Sequence, residues 1–165
     1  MDLRELFVKN VGELLGVEQT LEADVLPQLA EQSTNDKLRE ALQEHAVQTA
    51  GHVTQLERVF EALGERPKPE TSHVLTGLRR EHDLLVERVA DPQLRDLVIA
   101  SSAAHTEHYE ISAYHSVITL AVALGEPELV KLLEPNLHEE EEALDKVEKS
   151  VPERVLGELA QRSAS

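Results

Sequence analysis

Cysteine is absent from the chain, which excludes disulfides, thiolate metal sites and a cysteine nucleophile, and is compatible with a reducing cytoplasm. Aromatic residues are nearly missing too, at 2% of the composition. A core poor in aromatics and rich in Leu, Val and Ala suits packed helices better than a β-sandwich. No run of 18 apolar residues occurs, so no membrane-spanning helix is expected. The start, MDLRELFVKNVGELL, is amphipathic and acidic and lacks the uninterrupted apolar run of a signal peptide. Positive charge is scarce: 16 Lys and Arg stand against 32 Asp and Glu, a formal net charge of −16. That field disfavours nucleic acid and anionic membrane as partners and attracts cations.

What remains is enough for one domain over residues 1–165, since 41% of the residues are apolar and the length allows a real core. The punctuation is clear. STNDK (33–37) offers several N-cap residues, LGERPKPETS (63–72) is a loop, ADPQL (90–94) is an Asp cap followed by Pro, and LGEPEL (124–129) repeats that logic. The segments between have helical periodicity. They predict long helices at about 2–31, 35–63, 92–124 and 127–149, a crossover helix at about 71–89, and a tail helix at about 152–162. Two long hairpins joined by one long crossover form the topology of an all-α, ferritin-like four-helix bundle.

The apolar stripes carry the strongest signal. The first helix presents Phe7, Val11, Leu14, Glu18, Leu21 and Val25, and the second Leu38, Leu42, His45, Thr49, His52, Leu56, Val59 and Leu63. The third presents Leu97, Ala100, Ala104, Glu107, Ile111, Tyr114, Ile118 and Ala121, and the fourth Leu133, Leu137, Glu140, Leu144 and Val147. Each seam is interrupted near mid-helix by an ionisable residue, and no Lys or Arg lies on a stripe to pair with it. One such interruption reads as a satisfied core polar group, and the EEEE run at 139–142 reads mainly as solvated surface. Four together point to a metal, because buried carboxylates cost several kcal/mol each unless paired or metal-bound. Oxygen and imidazole donors suit hard or borderline cations. Glu107 and Glu110 stand three apart and can enter one site from one turn, and Gln48 and His52 form the corresponding face of the second helix. Di-iron and di-manganese bundles use Glu from two helices and Glu-x-x-His from the other two. The second and fourth helices here have no clean Glu-x-x-His. His105, His108 and His115 fall mainly on the opposite side of their helix.

VEQTLEADVLPQLAEQS, LREALQEHAVQTAGHVTQLERVFEALG, HTEHYEISAY and LLEPNLHEEEEALDKVE resemble the YciE/YciF family of bacterial ferritin-like proteins over roughly residues 3–149, in order and spacing. EHYEISAY is the most specific piece. The resemblance implies a bundle that is usually a homodimer, a carboxylate-rich di-metal site and an association with stress responses. The family's second-helix pattern looks like His-x-x-Glu-Thr-x-x-Gln. Here His45, Gln48, Thr49 and His52 stand in its place, so the carboxylate has become an amide and the amide an imidazole. Imidazole is the better ligand, which assigns ligation to His52. Pro135, inside the fourth helix, is a possible kink before Glu140.

The expected metal ligands are Glu18, His52, Glu107, Glu110 and Glu140, with His45, Gln48, Tyr114 and Glu139 as supporting or alternative groups. The expected function is that of a cytoplasmic di-metal carboxylate protein handling iron or oxidative stress. Iron is the first choice of metal and manganese the substitute, and the chemistry would be that of a di-iron oxidase or a peroxide-reactive protein. The alternative is a non-catalytic, stress-related scaffold whose buried polar layer sets dimer register. A structural zinc protein ranks third, since such sites favour Cys.

Overall fold

Short polar side chains start most of the helices by satisfying backbone N–H groups that have no partner inside the helix. Asp2 accepts from the Glu5 amide at 2.8 Å while Glu5 returns the bond to Asp2, a reciprocal cap. Asn35 is the cap within STNDK, accepting from Leu38, and Ser72 and Asp91 cap the later helices. The computed structural model describes residues 1–151 and 153–163. Its helices are α1 (Leu3–Thr20), α2 (Leu26–Gln32), α3 (Asp36–Ala62), α4 (His73–Val86), α5 (Pro92–Leu124), α6 (Pro127–Ser150) and α7 (Glu153–Ser163). Pro152, the first residue of the expected tail helix, lies outside the described residues. The Ser72 cap starts α4 at His73 rather than 71, and the helix ends at Val86 rather than 89. Among the described residues there is no strand, and no helix is long and apolar enough to cross a membrane.

The architecture is a ferritin-like bundle in which α1 neighbours α3 and α5, and α6 packs on both α3 and α5. Arg4 near the start of α1 reaches the Leu63 carbonyl beyond the end of α3, so these helices are antiparallel. Buried Asp96 anchors the start of α5 to the α2–α3 turn, accepting from the Thr34 amide at 2.8 Å and its hydroxyl at 2.6 Å. Gly125, in the left-handed region at φ 75°, ends α5 and lets α6 turn back against it. The crossover climbs along α1 at two glycines. Glu70 donates its amide to the Gly12 carbonyl, and a Cβ on Gly16 would stand 2.0 Å from the Glu70 carbonyl oxygen.

The first long helix is not regular. Between α1 and α2 lies a π turn, Leu21–Val25, in which the Leu26 amide donates to the Leu21 carbonyl five residues back. Pro27 follows directly, and its ring would press on the Ala23 carbonyl of a regular helix. The wider turn relieves that clash and inserts one residue into the stripe. Leu26 and Leu29 are therefore buried after Leu21, whereas Val25, expected in the core, is half-buried. On α5 the buried line runs through Ile99, Ala103, Glu110, Val117 and Ala121, with Glu107 and Tyr114. Leu97, Ala104, Ile111 and Ile118 are only half-buried, because α5 packs on α1, α4 and α6 and its inner face is wider than one seam. On α6, Asn136 and Ala143 hold core positions expected for Leu137 and Leu144. The helix runs unbroken through Pro135.

The core is split. One apolar cluster gathers Phe7, Val11, Leu15, Leu56, Phe60, Val117 and Leu133, and another Val17, Leu21, Leu38, Leu42, Ile99 and Val147. A layer of buried polar side chains from α1, α3, α5 and α6 lies between them.

Candidate metal centre

Each of the four long helices delivers its polar residue by the same arithmetic: a position on the buried stripe, bracketed by apolar residues that fix the helix against its neighbours. Glu18 comes from α1, His45 and His52 from α3, Glu107 and Glu110 from α5, and Glu140 from α6; all six are buried. His45 and His52 are two turns apart on α3, with ring centroids at 6.1 Å. Glu140 sits between them. Its Oε2 is 3.3 Å from His45 Nε2 and its Oε1 is 2.8 Å from His52 Nδ1. His45 Nε2 also lies 3.2 Å from Glu107 Oε2, and His52 Nδ1 lies 3.3 Å from Glu18 Oε2.

The positive partner demanded by these carboxylates is therefore present in the chain itself, as two imidazoles. Burial alone would lower His45, but the Glu107 and Glu140 carboxylates more than offset it and leave the group well above its ordinary value. The same opposition leaves His52 raised to about 10, through Glu140 and Glu18. Against its own burial, Glu140 is held well below the usual carboxylate range by both imidazoles. Burial pushes Glu107 up to about 8, partly countered by His45. Burial and the carboxylates of Glu140, Glu18 and Glu107 all raise Glu110. Glu18 is raised by burial and Glu140, against His52.

The pairing is incomplete in geometry. His45 Nε2, Glu107 Oε2 and both oxygens of Glu110 and Glu140 are buried without an aligned hydrogen bond, although several lie within ion-pair distance of an imidazole. Such atoms are rare in native cores and call for an explanation, of which an ion or an ordered water is one. Two sets converge: His45, Glu107, Glu110 and Glu140, and then Glu18, His52 and Glu140, each with donor atoms within 4.8 Å of one another. Both are oxygen-rich with one imidazole, a donor set for Fe, Mn or a similar divalent cation, and Glu140 belongs to both.

Around the donors the structure sorts the supporting residues. Tyr114, fully buried, donates its hydroxyl to a Glu18 carboxylate oxygen. Asn136 donates to the Tyr114 hydroxyl at 2.9 Å and to the His52 carbonyl at 3.3 Å. Asn136 was missed from the sequence; its one signal is its place four residues before Glu140. Gln48 is half-buried beside His45 and outside both sets, as is Glu139 beside His52. His45, an alternative in the sequence reading, converges with Glu107 and Glu140 as closely as His52 does with Glu18 and Glu140. His105, His108 and His115 are exposed.

Comparison with known proteins agrees with the helical-bundle fold. The family described as "Domain of unknown function (DUF892)" matches residues 2–160. Protein YciF of Escherichia coli K12 is 30% identical over 144 residues, 87% of this chain and 86% of that protein. The solved structure of that protein, described as a stress protein, superposes with a TM-score of 0.84 at 28% identity, covering 90% of this chain and 93% of that one. YcfI of Rhodopseudomonas palustris superposes at 0.87 with 31% identity, covering 90% and 94%. A Bacillus anthracis structure described as ferritin-like, diiron-carboxylate proteins superposes at 0.69 with 16% identity, covering 92% and 99%, a likeness of fold.

Proposed function

This chain belongs to the DUF892 family, and we propose that its mid-bundle polar layer is a binuclear metal centre serving iron or oxidative-stress handling. The observation that carries the reading is the pair of buried donor sets that share Glu140, with six oxygen and nitrogen atoms lacking an aligned partner. His45, Glu107, Glu110 and Glu140 would hold one ion and Glu18, His52 and Glu140 the other. Iron is the first choice and manganese the substitute, by donor type. When bound, such a pair supplies one-electron chemistry toward dioxygen or peroxide. Glu140 would be the ligand common to both positions, and the Tyr114 hydroxyl holds Glu18 in place. The apolar clusters on either side keep water from the layer and strengthen every charge interaction in it. The stress role draws on likeness to YciF, described as a stress protein. A cytoplasmic homodimer completes the proposal.

The test is anaerobic Fe(II) loading of purified protein, with bound metal counted by mass spectrometry and near-ultraviolet absorption followed on admission of air. A stoichiometric complement with a new absorption band is expected, lost in Glu107→Ala and Glu140→Ala. A native protein without stoichiometric metal, and no response in those variants, would sink the proposal. A second reading, a metal-free scaffold with a structural polar layer, is favoured by the imidazole–carboxylate pairs that already compensate part of the charge. It requires that added metal leave the melting temperature unchanged.

A further inference from the structure

The two histidines of the layer turn opposite ring nitrogens inward. His52 points Nδ1 at Glu140 and Glu18, and its Nε2 faces out to Glu139, 3.0 Å from Oε2. His45 points Nε2 at Glu107 and Glu140, and its Nδ1 faces Gln48, 3.4 Å from Oε1. A neutral imidazole binds metal through one nitrogen and carries hydrogen on the other, and an acceptor on the outer side selects which. We propose that Glu139 and Gln48 are positioning residues that commit His52 to ligate through Nδ1 and His45 through Nε2, an inference that rests on the metal centre above.

The placement follows from the helices. Glu139 and Glu140 are adjacent on α6 and so point about 100° apart around its axis. One turn thereby sends Glu140 into the layer and Glu139 to its rim, where its side chain keeps 41% of its exposure. Glu139 contacts the far nitrogen of the ring, so it stands across the imidazole from the donors of the Glu18–His52–Glu140 set. On α3, Gln48 lies three residues after His45, the spacing that brings its amide oxygen to the outer edge of that ring. The two backings differ in kind. A carboxylate behind His52 raises the donor strength of its ring more than the neutral, longer Gln48 contact does for His45. The two metal positions are therefore chemically inequivalent, and each has its own tuning residue.

Zn(II), redox-inert and diamagnetic, reads this directly in protein labelled with 15N-histidine. Long-range proton–nitrogen spectra of the loaded wild type are expected to show metal on His52 Nδ1 and His45 Nε2. Glu139→Ala should weaken one zinc position by about 10–100-fold and shift the His52 nitrogens while leaving those of His45 in place. Glu139→Gln, which keeps an acceptor and loses the charge, should fall between. Gln48→Ala should move the His45 nitrogens alone. Zinc on His52 Nε2, or unchanged affinities in Glu139→Ala, overturns this inference and leaves the metal centre standing. A wild type that takes up no metal overturns both.

Discussion

Glu110 and Glu140 are equally buried yet differ in their contacts: Glu140 lies within ion-pair distance of both imidazoles, whereas Glu110 is raised by burial and by the carboxylates around it. Without metal, burial and the nearby carboxylates favour the protonated form of Glu110, and the two imidazoles favour the ionised form of Glu140. Glu110→Gln puts a neutral near-isostere where burial already disfavours charge, so urea denaturation of the metal-free protein should change by less than about 0.5 kcal/mol while metal capacity falls. Glu140→Gln removes the one carboxylate that both buried imidazoles share and should cost about 3–5 kcal/mol in the same assay. The pH response follows from the same groups. His52, raised to about 10, contributes stability that is complete below its ordinary 6.5 and is lost as pH rises through 10. Glu107, raised to about 8, keeps a proton that the unfolded chain has released above 4.5, so stability again falls as pH rises through that window. His82 runs the other way: lowered by burial against Asp83, it costs stability only as pH falls below 6.5. Urea midpoints of the metal-free protein should therefore decline from neutral pH toward pH 10, and metal affinity should rise over the same range because ligands must lose protons to bind.

At the scale of the elements, the first long helix is where periodicity misplaced the core. The stripe predicts Glu18 and Leu21 correctly, then fails at Val25, because nothing in a 3.6-residue period announces the π turn that Pro27 and the surrounding packing favour. Fixed contacts on the outer face of α1 constrain the same region. Gly16 lies under the Glu70 backbone, so Gly16→Ala should displace the crossover and destabilise by about 1–3 kcal/mol. Gly51 and Gly77 are helical and would present a Cβ to open space, so alanine there should stabilise by up to about 1 kcal/mol. Paired thermal melts of these variants separate close packing from helix propensity. On α5, periodicity found one seam of Glu107, Tyr114 and Ala121 but not the wider face imposed by three neighbouring helices.

Across the whole molecule, the polar layer interrupts what would otherwise be a continuous apolar core, leaving two clusters joined through Tyr114, Asn136 and the ionisable groups. A bundle of this kind gives up hydrophobic contact at its centre, and a bound cation recovers stability by mass action. At a free metal concentration of about 100 Kd the gain is about 2.7 kcal/mol, which corresponds to a rise in Tm of roughly 5–11 °C for a chain of this size. Differential scanning calorimetry with Fe(II) or Mn(II), then with chelator, should show that rise and its reversal. An unchanged Tm would favour the scaffold reading.

The sequence by itself determined the all-α class, the paired hairpins with a long crossover, and the burial of Glu18, Glu107, Glu110 and Glu140, because spacing along a helix assigns each residue to a face and caps mark its ends. Tertiary structure alone decided which groups meet: that His45 joins His52, that Glu140 stands between them, that Asn136 ties Tyr114 to α3, and that Glu139 and Gln48 face opposite nitrogens of the two rings. Those relations depend on the axial register and rotation of one helix against another, set by packing summed over the whole core, and no single helix records them.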